Sequence, residues 1–182
     1  MKNDRMVCGE DHIGMLDNGF RRMLHNPERM FKKYIRPGST VMDIGCGPGA
    51  FITGLAKLAG HEGKVIAVDL QEGMLEHARI RVETEKPGSR IVFHKCGNNT
   101  LGLDEQADFI LTFYMVHETP DPVAFINEIS GLLKPGGIYY LAEPKMHVSK
   151  KQYHEVLQQC KKNGLSLIEE KGVISRIAVL RK

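Results

Sequence analysis

The stretch from Val41 to Phe51, VMDIGCGPGAF, joins a short apolar strand to a glycine-rich turn and then to the start of a helix. The alternate glycines Gly45, Gly47 and Gly49 lack Cβ atoms at positions where the backbone must turn tightly and lie against a ligand. The helix that follows offers free N–H groups at its N-terminus. The stretch therefore predicts a strand–turn–helix cradle for a nucleotide.

Two residues of the cradle favour one nucleotide cofactor over another. Gly45, Gly47 and Ala50 also satisfy the spacing of a dinucleotide-binding fingerprint, so NAD stays an alternative. Asp43, however, would repel a pyrophosphate, whereas it could pair with the ammonium of a methionine moiety. Pro48 has no N–H to give to a phosphate. Both residues favour S-adenosylmethionine.

A second cofactor signal follows about 20 residues beyond the glycines, where a ribose-binding acid is expected. The segment Lys64–Asp69 reads as a buried parallel strand that ends in an acid. The carboxylate of Asp69 is expected to accept from both hydroxyls of an unphosphorylated ribose, which NAD would also provide. Leu70 and Met74 come next and are expected to flank the adenine, although Met74 equally suits a core position.

Taken in order, these motifs resemble the class I S-adenosylmethionine-dependent methyltransferase family, and the resemblance covers roughly residues 35–182. The family's acid and three alternate glycines are matched from Asp43 to Gly49, and its acid at the end of the second strand is matched by Asp69. Its frequent Leu-Lys-Pro-Gly-Gly motif before the fifth strand is found at residues 133–137. The resemblance implies a Rossmann-like, doubly wound α/β fold, with a mostly parallel seven-stranded sheet and a C-terminal antiparallel hairpin.

The chain departs from the family pattern after the third strand. The family often has an acid there for the adenine amino group, but residues 96–99 read CGNN. We expect Gly97 and Asn98 to contact the adenine instead, with a turn that only solvates itself as the alternative. The complete set of expected cofactor-binding residues is Asp43, Gly45, Cys46, Gly47, Gly49, Asp69, Leu70, Met74, Gly97, Asn98 and Phe113.

Apolar patterning places the strands and helices along the chain. Strands are expected near residues 40–44, 64–69, 91–94, 108–113, 138–143, 166–171 and 175–181, with helices in the gaps and a tight reversal at Gly172. Residues 1–182 are expected to form a single domain. Within it, residues 1–36 would form a helical cap or lid, with a solvated helix packed on the sheet edge as the alternative, and residues 37–182 would form the Rossmann-like core.

Composition narrows the class of protein and its partners. A chain with 42% hydrophobic and 26% charged residues is ordinary for a globular protein. A net charge of +3, the lack of tryptophan and the lack of a base-methylation motif after the fourth strand make nucleic acid an unlikely partner. The four cysteines form no Cys-x-x-Cys pair and no apolar stretch could span a membrane, so a cytoplasmic location is expected. The expected oligomeric state is a monomer or a homodimer. No metal site is expected, since Cys8 and His12 are a weak pair of ligands.

Catalytic residues are expected where the strands end, because open α/β sheets bind ligands there. His117 and Glu118 follow the fourth strand, and the segment Glu143–His147 follows the fifth. Methyl transfer is a one-step displacement that needs a base only for some acceptors, and His117 is the first choice, with a surface histidine as the alternative. The expected function is methyl transfer from S-adenosylmethionine to a small-molecule nucleophile. The alternatives are a non-catalytic S-adenosylmethionine-binding regulator or interaction protein and, less favoured, an NAD-dependent oxidoreductase.

Overall fold

A computed structural model describes residues 26–85, 87 and 90–182, in which helices and strands alternate around one seven-stranded sheet. The strands are β1 Thr40–Ile44, β2 Lys64–Asp69, β3 Arg90–Lys95, β4 Ala107–Phe113, β5 Leu133–Pro144, β6 Ser166–Lys171 and β7 Ser175–Arg181. The helices are α1 Pro27–Phe31, α2 Ile52–Ala59, α3 Glu72–Glu85, α4 Pro122–Leu132 and α5 Lys150–Lys162, with a short 3₁₀ turn at Val116–Glu118. None of the helices in the described ranges combines the length and the apolar character needed to cross a bilayer.

The strand order is β3-β2-β1-β4-β5-β7-β6. The first five strands pair in parallel, whereas β7 pairs antiparallel with both β5 and β6. Gly172, at φ 121°, lies in the β6–β7 hairpin. The predicted Rossmann-like sheet with a C-terminal antiparallel hairpin is confirmed. Because the winding direction reverses between β1 and β4, ligands are expected at the carboxyl ends of these strands.

The sheet separates two apolar layers, and β4 contributes to both of them. Phe109 and Leu111 pack in one layer, which includes side chains of α1, α2 and α3. Ile110 packs in the other layer, together with side chains of α4 and α5. An apolar strand buried on both faces is the usual signature of a central parallel strand. This packing fixes the carboxyl ends of the central strands relative to each other.

Two predictions about the elements are wrong. Residues 96–106, between β3 and β4, contain no helix, because this segment is rich in turn-forming residues, among them Gly97 and Gly102. The buried side chain of Leu101 anchors this loop, and its N–H donates to Glu128 Oε2 at 2.7 Å. The fifth strand begins at Leu133 and not near residue 138, because Leu133 already pairs with β4 before a shift of register.

The expected cap over residues 1–36 lies mostly outside the described residues, which begin at residue 26. Its described part includes α1, whose N-cap Asn26 accepts from the N–H of Arg29 at 3.0 Å. Phe31, at the end of α1, is fully buried, and its ring lies 5.0 Å from that of Tyr140, centroid to centroid. This helix therefore packs on the sheet.

Candidate functional site

An open cleft of about 1370 Å³ lies at the carboxyl ends of the parallel strands. The turns after β1, β2, β3, β4 and β5 all contribute to its wall. Of the thirteen expected site residues, the two that do not line the cleft are Asp43 and Gly49. The structure brings the other eleven together around it: Gly45, Cys46, Gly47, Asp69, Leu70, Met74, Gly97, Asn98, Phe113, His117 and Glu118.

The three alternate glycines of the cradle serve different purposes, although all have positive φ. A Cβ on Gly45 would lie 2.7 Å from Met115 Cγ, so the absence of a side chain lets the loop approach the chain after β4. A Cβ on Gly49 would lie 3.0 Å from the Cβ of Ala78 on α3, which makes Gly49 a helix-packing residue. A Cβ on Gly47 would meet nothing within 4 Å, because this part of the loop borders the cleft.

Asp43 lies in β1 beneath the cradle, and only 1% of its surface is exposed. Its Oδ2 is buried and has no hydrogen-bond partner in the part of the chain that the structure describes. Burial, with a smaller contribution from the charge of Asp69, raises the pKa of Asp43 to about 7. A buried carboxylate oxygen without a donor is a favourable position for a cationic group.

Asp69 ends β2 at the wall of the cleft, and backbone groups hold its carboxylate. Oδ2 accepts from the N–H of Gly47 at 2.8 Å, and Oδ1 accepts from the N–H of Gln71 at 2.9 Å. Burial raises the pKa of this carboxyl group, against the opposing effect of these backbone donors. Each carboxylate oxygen can accept more than one hydrogen bond, so Asp69 keeps acceptor capacity toward the cleft.

The wall expected to hold adenine combines buried and exposed groups. Met74 is 2% exposed and lines the cleft, so it belongs to the core and to the site at once. The N–H of Gly97 donates to the carbonyl of Thr100 at 3.0 Å, which closes a turn within the loop. Asn98 is exposed on the same wall.

A histidine and a buried carboxylate form a pair at the opposite wall. The 3₁₀ turn after β4 carries His117, whose Nδ1 lies 2.5 Å from Glu143 Oε2. Glu143, on β5, is 1% exposed, and its Oε1 accepts from the N–H of Val116 at 2.9 Å. Because both carboxylate oxygens have partners, Glu143 fixes the turn and the imidazole together.

Electrostatics keep the imidazole of His117 readily protonated. Burial alone would lower its pKa, but the hydrogen bond and charge of Glu143, with the charge of Glu118, raise the pKa above the usual 6.5. Nε2 lies 3.9 Å from Glu118 Oε1, beyond hydrogen-bond distance. His147 is the neighbouring histidine, with its ring centroid 6.1 Å away.

Comparison with known proteins places this chain in a family. A family model described as "Methyltransferase domain" matches residues 35–176. A solved structure described as a SAM-dependent methyltransferase from Aquifex aeolicus superposes with a TM-score of 0.84 at 26% identity, over 96% of this chain and 99% of that one. This chain belongs to the class I S-adenosylmethionine-dependent methyltransferases. The predicted family, enzyme class and cofactor are therefore confirmed.

Two curated relatives of this methyltransferase have named activities. The demethylmenaquinone methyltransferase of Staphylococcus saprophyticus is 29% identical over 128 residues, which are 70% of this chain and 52% of that protein. The ubiquinone biosynthesis O-methyltransferase of Dinoroseobacter shibae is 35% identical over 102 residues, which are 56% of this chain and 39% of that protein. The chain thus spans about half the length, or less, of these relatives.

Three observations in and beneath the methyltransferase cleft suit S-adenosylmethionine. Asp43 has a buried oxygen without a donor, which suits a cation. Gly47 borders the cleft at a point where a Cβ would meet only open space. Asp69 presents a carboxylate in which backbone donors fix both oxygens. Among the described residues, no group of three metal-ligating side chains occurs, and Cys8 and His12 lie outside those residues.

Two residues of this region fall outside the expected site: Tyr114, which lines the cleft, and Glu143, which bonds His117 but does not itself line the cleft. Glu143 was placed among candidates after the fifth strand but not in the catalytic pair, although it ends an apolar strand as Asp69 does. Tyr114 lines the cleft with φ 62°, a left-handed backbone that is unusual for a residue with a side chain. Its hydroxyl bonds the hydroxyl of Ser175 in the hairpin region. No local sequence signal marks Tyr114, because tertiary contacts hold its conformation.

Proposed function

We propose that this methyltransferase transfers the methyl group of S-adenosylmethionine to a nucleophilic atom of a small molecule, with His117 as the general base. The observation that carries the proposal is the hydrogen bond between His117 and the buried Glu143 at the wall of the cleft. A base whose other nitrogen is fixed by a carboxylate is oriented and has one nitrogen left for a substrate proton.

Residues at the other wall would hold the cofactor. Asp69 would accept from the ribose hydroxyls, and Asp43 would pair with the ammonium of the methionine moiety. Gly45, Cys46 and Gly47 would supply backbone contacts. The adenine would be surrounded by Leu70, Met74, Gly97 and Asn98. Phe113 would complete the wall of the cofactor site. When bound, S-adenosylmethionine supplies a methyl group activated by its sulfonium.

His117 would take the proton that the acceptor loses as its nucleophilic atom gains the methyl group. With Nδ1–H donating to Glu143, the neutral imidazole has its lone pair on Nε2. The side chain of Glu143 would stabilise the imidazolium that results, because its charge favours the protonated ring. Alignment of acceptor and methyl group in the cleft would supply the remaining acceleration.

The nature of the cleft supports a small acceptor with an apolar body. Tyr114, Met115, Phe125 and Met146 contribute apolar or aromatic surface to the wall. The names of the two curated relatives refer to demethylmenaquinone and to ubiquinone biosynthesis, which also supports a small-molecule acceptor. Nucleic acid stays an unlikely partner, since the chain has no tryptophan and a net charge of only +3.

The proposal is tested first by ligand binding and then by turnover. Calorimetry should give micromolar-range binding of S-adenosylmethionine and of its demethylated product, with no binding of NAD. A screen of small-molecule acceptors with labelled methyl donor should then reveal turnover. Binding of S-adenosylmethionine without turnover on a broad panel would favour the non-catalytic regulator, and tight binding of NAD alone would favour an oxidoreductase.

Replacing His117 separates the base from the cofactor site. His117→Ala should lower turnover about 10²-fold or more and leave the affinity for S-adenosylmethionine unchanged, because His117 acts only on the acceptor. The matched control is His61→Ala, since His61 is exposed in the turn before β2 and does not line the cleft. Full activity of His117→Ala, or equal loss of cofactor binding, would return His117 to a structural role.

A further inference from the structure

A second pocket, of about 440 Å³, opens beside the cleft at the same edge of the sheet. It lies between the first turns of α5 and the β6–β7 hairpin. Cations dominate its wall, since Lys145, Lys150, Lys171 and Arg176 accompany a single carboxylate, that of Glu170. The pocket is therefore a favourable environment for an anion.

The pocket and the cleft adjoin each other through one shared residue and a hydrogen bond. Lys145 lines both of them, and its ammonium donates to the carbonyls of Gly172 at 3.0 Å and Val173 at 2.7 Å. A hydrogen bond also joins Tyr114 in the wall of the cleft to Ser175 in the wall of the pocket. One elongated molecule could therefore contact both cavities.

The hydroxyl of Tyr153 is the feature that indicates a ligand in this pocket. Tyr153 lines the pocket but is 1% exposed, and its hydroxyl has no hydrogen-bond partner within the described part of the chain. A buried hydroxyl without a partner is costly, and an anionic oxygen would accept its hydrogen bond. The guanidinium of Arg176 is already fixed, because Nη1 donates to the carbonyl of Val148 at 2.8 Å. It retains further N–H donors in a rigid fork.

We propose that this pocket binds an anionic group, a carboxylate or a phosphate, carried by the methyl acceptor. Arg176 and Tyr153 would donate to the group, with Lys145 between the group and the reacting end of the molecule. The assignment to the acceptor rests on the proposed methyltransferase function. The presence of an anion site does not rest on that function, because the site depends only on the residues of the pocket.

The anion site is tested with inorganic phosphate, titrated into the full chain by calorimetry. Wild type should bind phosphate saturably, and Arg176→Gln should weaken binding about tenfold or more because a charge-assisted hydrogen bond is lost. Tyr153→Phe should also weaken binding, while its melting temperature stays equal or rises, since the deleted hydroxyl has no partner in the free protein. The control Lys161→Gln removes the same charge from the last turn of α5, outside the pocket. Absent binding, or binding unaffected by both pocket variants, would overturn the site.

The link to the acceptor is tested with a labelled-methyl panel in which each carboxylate or phosphate monoester is paired with a neutral amide or ester. Anionic acceptors should have kcat/KM about tenfold or more higher than their neutral partners, and Arg176→Gln should abolish that preference while Lys161→Gln keeps it. Phosphate binding without any preference among acceptors would mark a free-anion site and overturn the link. If S-adenosylmethionine fails to bind, the proposed function fails, whereas the phosphate titration still decides the pocket.

Discussion

At the scale of single residues, the environment of His117 is set from two sides. Glu143 holds Nδ1 at 2.5 Å, and the 21% exposure of the imidazole side chain leaves it in contact with the cleft. Because the pKa of His117 lies above 6.5, the neutral base becomes abundant only at a higher pH than for a free imidazole. Turnover should therefore rise with pH through this raised pKa.

The role of Glu143 as a positioning residue can be measured through His117. Glu143→Gln keeps an oxygen for the N–H of Val116 but removes the charge that favours imidazolium, so the pKa of His117 should fall. An NMR titration of the ring protons would follow this fall, and the turnover profile should shift to lower pH with it. The ring of His154, outside the cleft, is the internal control. An unchanged pKa of His117 would remove Glu143 from this role.

The residues of the first two turns that line the cleft could largely be predicted from sequence, whereas the Glu143–His117 pair could not. Gly47 and Asp69 belong to a continuous motif whose spacing is dictated by one strand–turn–helix unit. Glu143 lies 26 residues from His117, and their contact depends on the parallel register that sets Phe113 beside Ala142. That register is a property of the assembled sheet, so no local pattern reveals it.

At the scale of elements, the glycines of the loop between β1 and α2 meet two different requirements, room for a ligand and close packing against a helix. The sequence alone does not distinguish these two requirements. Its glycines were all assigned to the cofactor, but Gly49 contacts α3 instead of the cleft. Strand positions were predicted well because the apolar runs are short and bounded by turn residues. The start of β5 was predicted too late because Leu133 pairs with Ala107, a contact formed only when the sheet assembles.

Parallel substitutions in this loop should separate ligand binding from packing. Gly47→Ala should cost about 1–2 kcal/mol of stability through its left-handed backbone, and its Cβ should weaken S-adenosylmethionine about tenfold or more by intruding on the ligand. Gly49→Ala bears a similar backbone cost, and its clash with Ala78 adds about 1–3 kcal/mol. Chemical denaturation and calorimetry on both variants would compare them. Wild-type cofactor affinity in Gly47→Ala would show that this side of the loop does not face the ligand.

At the scale of the whole molecule, the parallel sheet brings acidic residues together at one buried edge. Asp69 ends β2 and Asp43 is the last residue but one of the neighbouring β1, where it pairs with Ala67. Burial raises the pKa of both carboxyl groups, and the charge of Asp69 adds to the rise at Asp43. A fold that ends several parallel strands in acids is thereby suited to a cationic ligand.

This arrangement makes the stability of the ligand-free protein depend on pH in a defined direction. The folded-state pKa of Asp43, about 7, exceeds its usual 3.8, so between these values the folded chain binds more protons than the unfolded chain. The free energy of unfolding should therefore fall as pH rises across this interval. Asp43→Asn should flatten the fall and be more stable than wild type above pH 7, whereas Asp104→Asn, at an exposed position, should keep the wild-type slope. Urea denaturation across the pH range would measure both slopes. If the wild-type and Asp43→Asn slopes coincide, Asp43 is not the buried acid that titrates near neutrality, and its pairing with the cofactor's ammonium loses its electrostatic basis.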